Sequence, residues 1–223
     1  MMSIHRHRAL LLAAIALSAF LASCGPATGD PATHVTASPS PKPFDFSPWT
    51  VSAIGTGPTA TGAGSGVDLM MPAKAQGDPA QAQKLEVRLT ARCQLTADFD
   101  VRADYTLIAW PPLNGVHFGL VAGGDSAERA SNPNGDDNVY ASYLSGHVTA
   151  AGTQDTTGRL RLTRVGTTIS SYYLRDQTWV QIASTTGPAT PLTLVIGAWT
   201  DWYMFDHHDV RVNLKNLSTT GCS

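Results

Sequence analysis

The chain has 223 residues, with Lys+Arg 15 against Asp+Glu 17, a formal charge of −2, and 43% hydrophobic residues. That length and apolar content suffice for one sizeable core, and a mildly acidic balance without a Lys/Arg cluster argues against nucleic acid as a partner.

Residues 1–23 read as a leader rather than as fold. Arg6 and Arg8, with His5 and His7 nearby, make a positive start, and Ala9 to Phe20 is an apolar run of about a dozen residues. Such a run has the length of a signal-peptide core and falls short of the ~20 residues that span a bilayer. Leu21-Ala22-Ser23-Cys24 follows, and it resembles the bacterial lipoprotein lipobox. The resemblance implies cleavage before Cys24 and a diacylglyceryl thioether on its sulfur, where two acyl chains hold far better than one. A lipid-anchored protein on the extracytoplasmic face of the cell membrane is the expectation, more acidic than the full chain because Arg6 and Arg8 are removed. Residues 25–43, rich in Pro, Ala, Ser, Thr and Gly, cannot bury enough surface to fold and read as a flexible stalk. The folded domain is predicted over 44–223, from Phe44-Asp45-Phe46-Ser47-Pro48-Trp49 onward.

From there the hydrophobic period is two. Val67-Asp68-Leu69-Met70 and Leu85-Glu86-Val87-Arg88-Leu89 alternate as half-buried strands do, and 97–109 predicts a long strand stopped at Trp110-Pro111-Pro112. Val116 to Val121 is the next strand; Gly123 to Asn138 reads as a polar loop full of turn formers. Val139–Leu144 and His147–Ala150 predict a hairpin around Ser145-Gly146. Arg159–Arg164 and Thr167–Tyr173 predict a second around Val165-Gly166, continued by Gln177–Ile182. Leu192 to Trp199, nearly all apolar, predicts a strand covered on both faces, and Val210–Leu214 closes the chain. About a dozen strands with no helical period predict an all-β, two-sheet antiparallel sandwich.

Asp98-Phe99-Asp100-Val101 in a long strand, the Leu160-to-Tyr173 hairpin ending in paired tyrosines, Trp179 after a short turn, and Asp209-Val210-Arg211-Val212 near the end resemble the concanavalin A-like lectin/glucanase superfamily. They are most similar to its laminin G-like bacterial members of unassigned function. The resemblance spans roughly 44–222 and implies a jelly roll whose first and last strands are neighbours, an arrangement compatible with a Cys93–Cys222 contact. With Cys24 acylated, Cys93 and Cys222 remain as an even pair in an oxidising compartment. A bridge between them would close a loop long enough to contribute up to roughly 4–5 kcal/mol by the chain-entropy model.

The row Asp98, Asp100, Arg102, Asp104 shares one strand face, its members about 6.6–7 Å apart along the chain. Glycosidase carboxyls sit ~5–9.5 Å apart, so spacing admits Asp98, Asp100 and Asp104 as catalytic candidates if the chain is an enzyme. Arg102 in the same row would hold those carboxyls ionised, whereas a general acid must keep its proton. The superfamily's glucanases resemble one another in a Glu-x-Asp-x-x-Glu strand; this strand has neither glutamate, and the chain's two, Glu86 and Glu128, belong to no such pattern. The expectation is therefore no catalytic residue and a solvated strand face.

Among binding candidates, Trp199-Thr200-Asp201-Trp202-Tyr203-Met204-Phe205 sets flat rings beside Asp and Thr, as a sugar platform does, with Trp202, Tyr203 and Asp201 as ligand contacts. The alternative is that Trp199 and Phe205 fill the core. No cofactor is required. Asn134, Asp136 and Asp137 offer oxygen ligands suited to calcium, in a spacing that ordinary turns also show. Asp206-His207-His208-Asp209 could bind a transition metal but reads as a strand entry, since adjacent residues on a strand face opposite ways, and Gly62-Ala63-Gly64-Ser65-Gly66 lacks the strand–helix setting of a phosphate loop. The reading is a non-catalytic jelly roll that binds glycan; a divergent glycoside hydrolase and a laminin G-like protein-contact module stay open.

Overall fold

The computed structural model describes residues 42–111, 115–131, 138–200 and 208–223. Thirteen strands are found among them: β1 (Trp49–Ile54), β2 (Thr59–Ala63), β3 (Gly66–Met71), β4 (Glu86–Ala109), β5 (Val116–Ala122), β6 (Asp125–Ser131), β7 (Asn138–Leu144), β8 (His147–Gly152), β9 (Thr157–Val165), β10 (Thr168–Arg175), β11 (Thr178–Thr186), β12 (Leu192–Thr200) and β13 (Val210–Cys222). Every pairing is antiparallel.

The strands form two layers. One runs β1-β4-β12-β5-β6-β7-β8. The other runs β11-β10-β9-β4-β13-β3-β2. β4 serves both: residues 86–95 lie between β1 and β12, and from Phe99 onward it lies between β9 and β13. Alternation in each strand turns one set of apolar side chains inward. Val87, Leu89, Phe118, Leu120, Leu194 and Ile196 of the first layer meet Val101, Ala103, Leu160, Leu162, Ile169 and Leu214 of the second in one buried core. Full burial of such side chains stabilises by about 1.5–3 kcal/mol each. Polar contacts tie the layers at Tyr105 OH to Tyr140 OH (2.9 Å) and Ser171 Oγ to Ser142 Oγ (2.7 Å), and Tyr140 stacks on Tyr173 with centroids 4.1 Å apart.

Where β4 passes between layers, its carbonyls need other donors. Arg164 of β9, fully buried, supplies them: its guanidinium donates to Leu95 O (3.1 Å) and Ala97 O (2.6 Å), and on its other side to Pro188 O and Thr190 O. The Cys93–Cys222 disulfide is present, joining β4 to β13 with Cα atoms 5.5 Å apart. Gln94 and Ser223 exchange backbone hydrogen bonds beside it.

Three expectations are corrected. The strand expected from residue 97 begins at Glu86 and runs unbroken, because the corner at 95–99 bends without a turn residue. The polar loop expected from Gly123 to Asn138 contains β6, whose Asp-Ser-Ala-Glu-Arg-Ala-Ser hides small and charged side chains; Ser126, Glu128, Arg129 and Ser131 are all buried. The last strand does not lie beside the first: β13 pairs with β3 and β4, while β1 pairs with the first half of β4.

Candidate functional site

The outward face of the β1–β8 layer carries a cleft of about 520 Å³. Strand register builds it in three rows. The first aligns Glu86 (β4), Trp199 (β12), His117 (β5), Ala130 (β6) and Val139 (β7). The second aligns Arg88, Gly197, Gly119, Glu128, Ala141 and, on β8, Ala150. The third aligns Thr90, Val195, Val121, Ser126, Tyr143 and Val148. Two glycines in the middle row leave the centre low. A Cβ on Gly119 would stand 2.8 Å from Ala127 O and 2.9 Å from Glu128 Cγ, and one on Gly197 2.9 Å from Val87 O, so the neighbouring strands approach too closely for a side chain there.

Polar groups gather toward β4 and β6. Glu128, nearly buried, receives His117 Nδ1 at 2.8 Å on Oε2 and the Ser126 hydroxyl on Oε1. His117 in turn stacks on Trp199, ring centroids 5.5 Å apart and 11° from parallel. Glu86, also nearly buried, lies under two cations: Lys84 Nζ is 2.7 Å from Oε2 and Arg88 Nη1 3.4 Å from Oε1. The lysine contact is an ion pair without hydrogen-bond alignment, so Glu86 Oε2 has no hydrogen-bond partner among the described residues. Arg88 Nε donates to Ser52 Oγ on β1 at 3.0 Å. Toward β7 and β8 the lining turns apolar, with Tyr143 and Val148 exposed. The cleft thus offers flat and aliphatic surface together with a few fixed polar groups, the usual make-up of a small-molecule site.

The aspartate row lies on the outward face of the other layer. Asp98 Oδ1 accepts from Gly166 N at 2.7 Å and pins the β9–β10 turn. Burial by itself would raise the Asp100 carboxyl, but hydrogen bonds and charge from Arg102 and Arg161 outweigh it and lower the carboxyl to about 2. Asp104 is likewise lowered, burial again being outweighed, here by Arg159 and Asn216. Carboxyls held this way stay ionised at neutral pH and do not serve as general acids.

Solved structures share this architecture at low identity. A functionally unknown protein from Saccharomyces cerevisiae superposes with TM-score 0.59 at 12% identity, over 79% of this chain and 98% of its own. A legume lectin-like domain from Entamoeba histolytica gives 0.55 at 8%, over 76% and 89%. A prokaryotic β-1,3-1,4-glucanase (lichenase) derived from a mouse hindgut metagenome gives 0.54 at 10%, over 78% and 95%. The fold is a concanavalin A-like jelly roll. No protein-family model matches the chain, and no curated protein matches it.

The expected ligand contacts Asp201, Trp202 and Tyr203, the calcium candidates Asn134, Asp136 and Asp137, and Cys24 lie outside the described residues. Asp209 Oδ1 accepts from Ala73 N at 2.8 Å. No group of three or more metal-ligating side chains occurs among the described residues. Trp199 is outward and half-buried over the cleft, not in the core as the alternative had it. Sequence reasoning missed Glu86, Arg88, His117 and Glu128 as a group, since only the register across four strands brings them together. One signal was available: the chain's only two glutamates both face this cleft.

Proposed function

We propose that the chain is a membrane-anchored, extracytoplasmic lipoprotein whose jelly roll binds carbohydrate, without catalysis, in the cleft of the β1–β8 layer. The observation that carries this is the cleft's composition: Trp199, Val121, Val195, Tyr143 and Val148 beside Glu86, Arg88 and Glu128. Pyranose rings present C–H faces to aromatic and aliphatic surface and hydroxyls to carboxylates and guanidinium groups. The lectin-like neighbour supports a sugar ligand on this fold. The lichenase neighbour raises hydrolysis as the second reading. Placement counts against it: β12 and β5 stand between Glu86 and Glu128, about 14 Å between backbones at ~4.8 Å per strand, and each carboxylate is held by its own partners, Lys84 and Arg88 for one and His117 and Ser126 for the other. The anchor rests on Leu21-Ala22-Ser23-Cys24 and the stalk behind it.

A glycan array probed with the protein, with calcium and with chelator, tests the reading. Trp199→Ala is expected to weaken retention at least about tenfold while the circular dichroism spectrum and melting temperature hold, because it removes the largest ring in the cleft. Release of reducing ends or unsaturated fragments from any polysaccharide would replace binding by catalysis.

A further inference from the structure

The cleft's charges cancel where they stand, and from this we infer that its ligand is an uncharged glycan rather than a uronate or sulfated polymer; the inference rests on the carbohydrate reading of the cleft. Among the described residues, the charged side chains lining it are Lys84 and Arg88 against Glu86 and Glu128. None of the four is spare. Glu86 engages both cations, and Arg88 has its Nε on Ser52. Glu128 receives His117 on one oxygen and Ser126 on the other. No guanidinium therefore turns an unoccupied two-pronged edge toward an incoming anion, the geometry that recognises carboxylates and sulfates best.

An acidic ligand would have to draw Arg88 or Lys84 off Glu86. Glu86 has only 7% of its side chain exposed, and stripping a counter-charge from a buried carboxylate costs more than a half-exposed new pair returns. The ligand's charge would also approach Glu128, of like sign. A hydroxyl incurs neither cost. It can accept from the partly exposed Lys84 and Arg88 heads while both stay on Glu86. At the β7–β8 end, Ala141, Tyr143 and Val148 give nothing for a charge to pair with and suit C–H faces. Hydroxyls at one end and bare ring faces at the other describe a neutral sugar chain.

The test measures retention of the full-length protein on a panel of neutral polysaccharides, a polyuronate and a sulfated polymer, at low and high salt. Neutral chains are expected to bind with affinity changing less than about twofold between the salt conditions, since no net charge is screened. The charged polymers are expected to bind at least about tenfold more weakly. Preference for the polyuronate or sulfated polymer, or a salt-dependent loss of about tenfold, would overturn this inference and leave the cleft a glycan site. Failure to bind any polymer would count against both. Glu86→Gln leaves the cleft with an excess cation and should gain polyuronate retention by about tenfold. A folded E86Q that still excludes polyuronate would show that charge balance is not the selector.

Discussion

Asp100 shows how a carboxylate that suggests catalysis from its spacing becomes structural. Two guanidinium groups fork onto it from Arg102 and Arg161, and both also lie over the Trp179 ring. Its folded carboxyl sits near 2 against an ordinary 3.8, so the stabilisation is complete above pH 3.8 and is lost as pH falls from there through about 2. Solvent screening at this partly exposed site reduces the contribution to on the order of 1 kcal/mol. Asp100→Asn should accordingly be less stable than wild type by about 1 kcal/mol at pH 6, and urea midpoints of the two should converge by about pH 2. A gap of constant size across that range would mean the charge is not its source. Arg102 was readable beside Asp100, being two residues along the same strand. Arg161 was not, because its place follows from the β4–β9 register, which no local pattern states.

At the level of elements, β4 and β6 mark the limits of reading by period. β4 alternates cleanly over most of its length, so its existence was legible, but its passage from one layer to the other was not. That passage depends on Arg164, distant in sequence, covering the carbonyls of Leu95 and Ala97. Arg164→Leu keeps much of the volume and removes every donor, orphaning buried acceptors that cost about 1–3 kcal/mol each. We expect a loss of at least ~3 kcal/mol, a fall in melting temperature of roughly 6–12 °C for a domain of this size. Arg161→Leu, on the half-exposed face, should cost about 1 kcal/mol or less by the same scan. Equal effects would place the corner's stability elsewhere. β6 escaped detection for the opposite reason. It has no β-branched or aromatic residue, and its buried Glu128 and Arg129 are paired rather than apolar. The strand that carries a central cleft carboxylate is therefore the one whose composition least resembles a strand.

At the scale of the whole molecule, the sandwich and the proposed tether make independent demands on the chain. The sandwich is closed on itself: β13 is bound between β3 and β4, and the Cys93–Cys222 bridge fastens its end across a sequence separation of 129. Among the described residues, the cleft is lined by the other layer and the approach to it, and none before Lys84 takes part except Ser52, which supports Arg88. The Pro-, Ala-, Ser-, Thr- and Gly-rich composition of residues 25–43 would suit the stalk that the proposed anchor requires. If the thiol of Cys24 carries the anchor, Cys24→Ser should move the protein from the membrane fraction to the soluble fraction, because the acyl chains supply the attachment. Glycan affinity measured on the two forms should agree within about twofold, since no cleft contact changes. Retention of C24S in the membrane fraction, resistant to high salt, would locate the attachment in another part of the chain. A C24S protein that is released but no longer binds glycan would mean that the sugar site draws on the anchored segment, against the register-built cleft described above.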